Sequence, residues 1–450
     1  MTIELSTITF TEQADIVPLS GMDEITNAYY DDRITNTLAG DDIITGTWTG
    51  IQTDSGIRNY GTLNTGEGND LITGITPIDR AYFGYGILNI GQYLVIDIYD
   101  SDSPVGGIID TGDGNDTIIG TGGGTGIIIQ DGTINTGKGN DIITATGYFG
   151  LSAGRKSFLN TGEGDDVITA ISINDGGYGI ASEASLDTGS GNDIIIGTGT
   201  NNSVGVALSG YSNTGDGNDT IIGSGRHVGF GNGSIFNAGN GDDLIISHGR
   251  LYNSGGLFLG DGNDSIIVDT IIEAENLPNY AIYNFNSSFI GTGDGNDVIT
   301  STGVIYNEGV IETGNGDDSI IVDGGVNGTG EGYGIYNNGG AINMGDGNDS
   351  IIANEGFESA PNSSGAWFLG NGDDYIKGFG SGDFYGGNGN DTLELTPGSY
   401  TVGIWGEGDT SVIFTKGNSL MITSEFEQLK AGSTIYNFAS LTAGQTIVVA

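Results

Sequence analysis

A short acidic loop recurs fourteen times in this chain, and it supplies the residues best suited to chemistry. Each copy reads Gly-x-Gly-(Asn/Asp)-Asp, except that Leu38 replaces the first glycine of the first copy. Carboxylates, side-chain amides and the carbonyl oxygens that glycine leaves accessible are hard ligands of the kind that divalent cations prefer. The candidate ligands are the final aspartates of the loops: Asp42, Asp70, Asp116, Asp141, Asp166, Asp193, Asp219, Asp243, Asp264, Asp297, Asp318, Asp349, Asp374 and Asp391.

A large aliphatic residue follows each loop, two positions after the final aspartate. It is Ile in thirteen copies, beginning with Ile44, and Leu393 in the last. Most loops lie 21 to 33 residues apart, which indicates one structural unit per period. Between the loops, β-branched residues alternate with period two and are interrupted by Gly and Asn, a pattern typical of strands and turns. We find no amphipathic helical pattern in residues 36–394.

Units of about 25 residues are too small to bury a core alone and must stack on their neighbours. We therefore predict an all-β fold, a right-handed parallel β-helix or β-roll solenoid of about 15 coils, with coils about 4.8 Å apart. The predicted parts are an N-terminal cap in residues 1–35, the repeats in 36–394 and a β-rich C-terminal cap in 395–450. The pattern leaves open whether each coil has two faces or three.

One gap between loops is longer than the others. Asp70 and Asp116 are separated by 46 residues. Because Ile87 to Ile98 keeps much of the alternating strand pattern, we interpret this gap as two coils, one of which has lost its acidic loop.

Stacked coils would bring the loop carboxylates close to one another. Two carboxylates about 4.8 Å apart repel by roughly 3 kcal/mol at an effective dielectric constant near 20. The chain has 58 Asp and Glu against 11 Lys and Arg, so its own cations cannot neutralise such a row. A divalent cation between successive loops would do so, and oxygen ligands on a flexible loop favour Ca²⁺ over Mg²⁺. A metal-free turn is the alternative, although a turn alone needs Gly or Asn and not Asp in every copy.

The loops also resemble a known family. Residues 386–394, Gly-Gly-Asn-Gly-Asn-Asp-Thr-Leu-Glu, match the nonapeptide G-G-x-G-x-D-x-U-x of the RTX, or haemolysin-type, calcium-binding repeat. Asp383 lies between Asp374 and Asp391 at nearly nine-residue spacing, so residues 369–394 are almost tandem. Elsewhere the resemblance covers the loop motif and not the nine-residue spacing. The resemblance implies that each loop aspartate, with Asp383, binds through its carboxylate a calcium ion that is shared with a neighbouring coil.

Composition and charge narrow the partners and the location. The net charge of −47 argues against nucleic acid and anionic membrane surfaces as partners. The N-terminal residues show no signal-peptide pattern, and no apolar run reaches transmembrane length. Residues 422–429 and 446–450 are similar to the C-terminal region through which RTX proteins leave the cell by type I secretion. We therefore expect a secreted, extracellular or cell-surface protein that folds when it meets calcium.

The leading functional prediction is a non-enzymatic calcium-binding module with a structural or adhesive role, because the repeats that carry the acidic loops fill most of the chain. A carbohydrate-active β-helix enzyme, such as a polysaccharide lyase or epimerase, is an alternative. It depends on Arg226 and Arg250, which each follow a loop aspartate by seven residues, and on the nearby His227 and His248. Elsewhere the sequence shows no pattern of a catalytic nucleophile with its base and acid, of a phosphate-binding loop or of a zinc-binding motif.

A glycan-binding module is a third possibility. Sugars stack on aromatic rings, and Tyr283, Tyr306 and Tyr336 recur in the Ile-Tyr-Asn segment of three units. A ladder of tyrosines that only packs at a coil corner would give the same pattern. Extracellular polysaccharide or the cell surface is the partner that this prediction implies.

Overall fold

The computed structural model describes residues 2–11, 13–17, 24–27, 34–49, 55–78, 84–90, 106–200, 202–270, 280–324, 332–359, 365–405 and 411–450. They divide into two compact units, Met1–Gly239 and Asn240–Ala450. Within each unit a complete coil contributes three strands, which we call the first, second and third face in the order that follows the acidic loop. Equivalent strands of successive coils pair in parallel, as Ile142–Gly147 does with Val167–Ser172. The predicted all-β parallel β-helix is confirmed, and its coils have three faces.

The first unit contains three stacks of strands and one 3₁₀ helix, Leu5–Thr7. The first face consists of Ile16–Val17, Ile43–Thr47, Leu71–Ile75, Thr117–Thr121, Ile142–Gly147, Val167–Ser172, Ile194–Thr198 and Thr220–Ser224. The second face consists of Thr2–Glu4, Glu24–Asn27, Ser55–Asn59, Tyr85–Ile90, Thr125–Gln130, Phe149–Ala153, Tyr178–Ser182, Val204–Leu208 and Val228–Asn232. The third face consists of Ile34–Asn36, Thr62–Asn64, Ile108–Asp110, Thr133–Asn135, Phe158–Asn160, Ser185–Asp187, Ser212–Asp216 and Ile235–Asn240.

The second unit repeats this arrangement. Its first face consists of Leu244–His248, Ser265–Asp269, Val298–Ser301, Ser319–Val322, Ser350–Ala353, Tyr375–Lys377, Thr392–Leu395 and Gln428–Ala431. Its second face consists of Leu251–Asn253, Tyr280–Asn284, Val304–Asn307, Ile335–Asn337 and Phe357–Glu358. Its third face consists of Gly256–Asp261, Phe289–Asp294, Val310–Asn315, Ala341–Asp346, Ala366–Asn371, Gly382–Asn388 and Ser419–Ser424.

The last part of the chain changes strand direction. Gly398–Ile404 pairs antiparallel with Val412–Lys416 and with Thr446–Val449. Thr434–Asn437 pairs antiparallel with Gln428–Ala431, and a 3₁₀ helix follows at Phe438–Ser440. Antiparallel strands do not continue the stack of coils, so this β-rich segment ends the parallel ladders of the second unit.

The interpretation of the 46-residue gap is wrong. Leu71–Ile75 pairs directly with Thr117–Thr121, and Thr62–Asn64 pairs with Ile108–Asp110, so Asp70 and Asp116 are one coil apart. The strand Tyr85–Ile90 belongs to the second face of this single coil, and residues 91–98 lie outside the described residues. Alternation in the sequence does not reveal whether a strand pairs within the stack or belongs to an insertion, which explains the error.

The aliphatic residues that follow the loops form the core. Ile44 and its equivalents through Leu393 are at most 1% exposed. They point inward because side chains alternate between the two faces of a strand, and they stack because the parallel strands are in register. The buried asparagines of the second face bond to one another from coil to coil; for example, the amide of Asn284 donates to Asn307 at 2.8 Å.

The described residues contain no α-helix, so none of them forms a helical segment that could span a membrane.

Candidate metal centre

The acidic loops of successive coils stack directly on one another through main-chain hydrogen bonds. In the first unit, the variable residue of each loop forms a parallel bridge with the variable residue of the next. Asp113 shows the arrangement, because its N–H donates to the carbonyl of Gly66 at 3.2 Å while its own carbonyl accepts from Gly68 at 2.9 Å. The loops are therefore in contact before any ligand is considered, and their oxygen atoms form continuous rows.

Glycine is required where the loops touch. Gly139, the second glycine of its loop, has φ +124°, and a Cβ placed there would lie 1.8 Å from the carbonyl oxygen of Gly114 in the preceding coil. The same overlap occurs for Gly164 over the carbonyl of Gly139, at 2.0 Å. The second glycines thus hold a column of carbonyl oxygens in the space that a side chain would fill.

The final aspartates of the loops form an inner row. Each is at most 2% exposed, so they do not extend into water. In each unit, Oδ1 of one aspartate accepts the N–H of the equivalent aspartate in the preceding coil; Asp166 accepts from Asp141 at 2.8 Å. The sequence predicts the position of this row, but not that one oxygen of each carboxylate is committed to the backbone.

The second carboxylate oxygen of this row accepts no hydrogen bond, because the nearby threonine hydroxyl, such as that of Thr136 beside Asp141, donates its proton to a carbonyl of the next coil. This holds for Oδ2 of Asp42, Asp70, Asp116, Asp141, Asp166, Asp193, Asp264, Asp297, Asp318, Asp349, Asp374 and Asp391, all of them buried. A buried polar atom that is left unsatisfied costs about 1–3 kcal/mol, and a charged one costs more. Twelve such atoms would cost more than the net stability of a typical domain, about 5–15 kcal/mol, so each needs a proton or a cation.

Burial raises the pKa of the inner-row carboxyl groups. Removal of the carboxylate from water is the largest cause, and the N–H bond from the preceding aspartate partly opposes it, as for Asp116. The pKa is raised to about 7 in one group of these aspartates: Asp116, Asp193, Asp264, Asp349 and Asp391. The pKa is raised to about 6 in another group: Asp141, Asp318 and Asp374. Protons and cations therefore compete for the same oxygens near neutral pH.

The residue before each inner aspartate forms an outer row with the opposite environment. These Asn and Asp residues are exposed, and Oδ1 of each accepts the N–H of the equivalent residue in the following coil. Asn140 accepts from Asp165 at 3.0 Å, and Asp165 accepts from Asn192 at 2.8 Å. Hydrogen bonds from Asn263 lower the pKa of Asp242 in this row. The outer row is satisfied by the protein alone.

Sequence reasoning missed one hydrogen-bond partner of the inner row in each unit. The N–H of Asp15 donates to Asp42 at 2.7 Å, and Asp15 is followed two positions later by the buried Val17, which is the only trace of the repeat that it keeps. In the second unit, Oε2 of Glu427 accepts the N–H of Asp391 at 2.8 Å. Nothing in the sequence around Glu427 marks this role, because the chain reaches it after the antiparallel strands.

Asp383 does not belong to the inner row. It lies in the strand Gly382–Asn388, aligned with Ala366, and its side chain is on the outer, half-buried side. Asp374 and Asp391 are themselves neighbours in the row, since the N–H of Asp374 donates to Asp391 at 2.9 Å. The near nine-residue spacing around Asp383 therefore falls within one short coil and marks no further loop, and its role as a calcium ligand stays a prediction.

The inner row fits a hard cation. Each loop contributes one buried carboxylate oxygen and glycine carbonyls that stack on those of the next loop, and in the described part of the chain no three acidic or histidine side chains converge. Such a set lacks the nitrogen or sulfur ligands that zinc prefers. Carboxylate and carbonyl oxygens on a loop instead match the ligands of Ca²⁺, so the loop aspartates and the glycine carbonyls are the groups that would hold it.

The basic residues of the predicted catalytic alternative are engaged in local contacts. Nδ1 of His248 lies 2.7 Å from Oδ1 of Asp269, and both side chains are about half exposed. Nη1 of Arg250 donates to the hydroxyl of Tyr252 at 3.0 Å. Arg226 and His227 lie in the first unit, whereas His248 and Arg250 lie in the second.

The predicted tyrosine ladder exists on the second face of the second unit. Tyr283 aligns with Tyr306, and Tyr306 with Tyr336, with ring centroids 4.7 and 5.0 Å apart. The hydroxyl of Tyr306 donates to Glu308 at 3.2 Å and accepts from the amide of Asn338 at 2.7 Å. The rings and hydroxyls thus pack against one another, as a corner ladder would.

A groove of about 510 Å³ lies on the third face of the second unit. Phe258 and Phe289 stack in its wall with ring centroids 5.2 Å apart, and the carboxylates of Asp294 and Glu312 border it. A Cβ at Gly291 would lie 2.4 Å from the ring of Phe289, so this glycine provides the space for the ring. The sequence analysis did not identify this groove, because its parts come from four different coils.

No protein-family model matches the sequence, and no curated protein is significantly similar to it. A search of solved structures finds the X-ray crystal structure of a hyperactive, Ca²⁺-dependent, β-helical antifreeze protein from an Antarctic bacterium. It is 17% identical, the alignment covers 95% of this chain and 94% of that chain, and the TM-score is 0.35. The parallel strand pairing within each unit, and not this distant likeness, establishes the β-helix.

Proposed function

We propose that the chain is a calcium-binding β-solenoid in which folding is coupled to calcium. One observation carries the proposal: twelve buried aspartates each keep one carboxylate oxygen without a hydrogen bond, in loops whose glycine carbonyls also stack from coil to coil. A row of such atoms is stable only when its charge is neutralised. Calcium does this without the rigid octahedral geometry that Mg²⁺ demands.

The coupling follows from the number of sites. A site at ten times its dissociation constant adds about 1.4 kcal/mol to the stability of the folded state, so a dozen equal sites would add about 17 kcal/mol. That sum exceeds the net stability of most domains. The chain would then remain largely unfolded at low calcium and fold at high calcium.

A secreted, extracellular location and a non-enzymatic structural or adhesive role complete the proposal. Extracellular calcium is the condition under which such a chain would fold. The similarity of residues 422–429 and 446–450 to type I secretion regions supports export in the unfolded state. The repeats that carry the loops, residues 36–394, occupy most of this sequence, which supports a structural role.

The decisive test compares two neighbouring aspartates of one loop. Asp166→Asn removes the charge and the orphan oxygen from the inner row, whereas Asp165→Asn removes the same charge from the exposed outer row, where most other loops already carry Asn. Bound calcium is counted by equilibrium dialysis with elemental analysis, and the thermal midpoint is followed through a calcium titration with Mg²⁺ as a reference. Asp166→Asn is expected to lose at least one ion and part of the calcium-dependent rise in midpoint, whereas Asp165→Asn keeps both.

A metal-free turn gives a different outcome in the same experiment. Asp166→Asn would then stabilise the protein at neutral pH, because it removes a buried charge, and calcium would change nothing. Folding of the unaltered chain that is indifferent to chelator would also exclude the proposal.

The groove on the third face supports a second candidate function, a glycan-binding module. Stacked aromatic rings with carboxylates at their border provide both the apolar surface and the hydrogen-bond acceptors that a sugar ring uses. Binding to a glycan array that is lost in Phe258→Ala and kept in Phe368→Ala, an exposed phenylalanine outside the groove, would favour this function. An array without any ligand would count against it.

A further inference from the structure

The first face of the first unit carries no charge on its outer side. We call this surface the Thr/Ile face; it comprises the outward positions of the seven strands that follow the acidic loops of that unit, from Ile43–Thr47 to Thr220–Ser224. Each strand presents three outward side chains, and all of them are Thr, Ile, Val, Leu or Ser. In a chain with a net charge of −47, an exposed surface of this extent without a charged residue requires an explanation.

The equivalent face of the second unit shows that the fold does not require this composition. Its outward positions include His248 paired with Asp269, and Lys377 paired with Glu394. Charges are therefore compatible with these strand positions and are absent only from the first unit. Solubility alone favours charged side chains on exposed strands, so the uncharged composition points to a surface that is covered.

The Thr/Ile face is also uniform in shape. Its strands pair in register, so that Thr144 aligns with Thr169 and Ile119 with Thr144, and β-branched side chains of nearly equal size form three columns. The second face of the same unit is uneven, because its outward residues range from Gly231 to Tyr178, and it carries Arg58. A surface with such regular columns of side chains fits a second surface whose columns have the same spacing.

We propose that the Thr/Ile face is a self-association surface on which a second copy of this chain docks face to face. A second copy presents the same columns at the same interval, so the side chains of the two sheets can interdigitate at the usual sheet separation of about 10 Å. Two copies with a charge of −47 repel each other, so they can approach only where neither carries a charge. The resulting dimer would be two-fold symmetric, as most soluble homodimers are.

The area is sufficient for a specific dimer. Seven strands about 4.8 Å apart and about 17 Å long cover roughly 560 Å². Two such faces would bury roughly 1,100 Å², which passes the approximate 1,000 Å² that separates biological interfaces from incidental contacts.

The experiment uses the full-length protein, folded in calcium. Sedimentation velocity from about 1 to 100 µM at about 0.15 M salt measures its oligomeric state, because that ionic strength limits repulsion between copies to short range. Thr144→Glu with Thr169→Glu places two like charges at the centre of the face. The matched control, Ser152→Glu with Ala181→Glu, places the same two charges at aligned outward positions of the second face. Circular dichroism and the thermal midpoint in calcium confirm that both variants fold.

The proposal requires that the unaltered chain and the control form dimers, and that the Thr144→Glu/Thr169→Glu variant has a dissociation constant raised at least about 100-fold. A monomer at every concentration would overturn it, even if the face then proved to bind ice or a crystalline polysaccharide. Equal losses in both double variants would also overturn it.

A second measurement does not depend on charge. The chain has no cysteine, so Thr169→Cys and Ala181→Cys each introduce a single thiol. A bismaleimide with a spacer of about 10 Å should join two copies through Thr169→Cys and not through Ala181→Cys, because only the first would face its equivalent across the two sheets. Equal cross-linking of both variants would contradict face-to-face docking.

Discussion

The inner and outer rows of the acidic loops consist of adjacent residues of nearly the same type, yet their environments are opposite. The inner aspartates are at most 2% exposed and keep an unsatisfied carboxylate oxygen. The outer residues are exposed, and the N–H of the following coil satisfies them. Accordingly, burial raises the pKa of Asp116 to about 7, whereas hydrogen bonds lower that of Asp242. The outer row closes the turn, and the inner row leaves a site for a ligand.

We expect the largest change in thermal stability when calcium is removed at different pH values. In the folded, metal-free chain, inner carboxyls such as Asp116 have pKa values of about 6 to 7, above the value of about 3.9 for an unfolded chain. The folded state therefore binds more protons between these values, so its stability is greatest in acid and is lost as pH rises through 6 to 7. The thermal midpoint of the chelated protein should fall by on the order of 10 °C or more between about pH 5 and pH 8.

With saturating calcium, the same pH series should run in the opposite direction. Calcium needs deprotonated ligands, so its affinity rises with pH while protons are displaced from the inner row. Calorimetric or spectroscopic melting with and without calcium gives both curves. Parallel curves would mean that the inner row and calcium are not linked.

The next largest loss of stability is expected when the contact between successive loops is disturbed. Gly139→Ala places a Cβ 1.8 Å from the carbonyl oxygen of Gly114, at a φ of +124° that only glycine adopts readily. Displacement of that backbone should cost about 3 kcal/mol or more and weaken calcium binding as well. Gly231→Ala is the matched control, because its nearest neighbour would be 3.6 Å away, and we expect a change within about 0.5 kcal/mol. Chemical denaturation in calcium measures both, and similar losses would refute the requirement for glycine where the loops touch.

The outer row should contribute little beyond its own hydrogen bonds. Asn140→Ala removes the acceptor of a 3.0 Å bond from the N–H of Asp165 at an exposed position. Its loss should cost about 1 kcal/mol and leave the number of bound calcium ions unchanged. Asp141→Ala, one residue further on, should lower that number. A calcium loss in Asn140→Ala would show that the two rows are not functionally distinct.

The sequence predicts those features of the fold and the site that follow from the repeat period and from the residue types in each repeat. The fourteen loops, the buried aliphatic column and the parallel stacking follow from spacing, because identical units must bury identical positions. The sequence does not predict what depends on pairing across unequal coils. The alternation pattern predicts two coils for residues 71–116, where the strands form one, and it does not mark Glu427 as the partner of Asp391. Each error arises where the number of residues between two positions no longer indicates how many coils separate them.

The commitment of Oδ1 to the backbone was also beyond the sequence. A pattern shows that Asp occupies every inner position, but only coordinates show that one oxygen, and not both, remains without a partner. The same holds for the Thr/Ile face, whose residues look unremarkable one strand at a time. Its uncharged composition is recognised only when the outward positions of seven strands are assembled on one surface.

The smallest predicted effect concerns the one loop that lacks its first glycine. Leu38 has φ +81°, a left-handed conformation that glycine adopts without strain, whereas Gly66 and Gly112 occupy the equivalent position in the next two loops. Leu38→Gly should relieve about 1 kcal/mol of strain, partly offset by the greater entropy of glycine in the unfolded chain. Because the Leu38 side chain is 45% exposed, little buried surface is lost, and the thermal midpoint in calcium should rise by no more than a few degrees. The reverse change, Gly66→Leu, would place a Cβ 1.5 Å from the carbonyl oxygen of Leu38 and should destabilise the protein strongly. A lower midpoint for Leu38→Gly would show that the Leu38 side chain stabilises the first loop by more than its backbone strain costs.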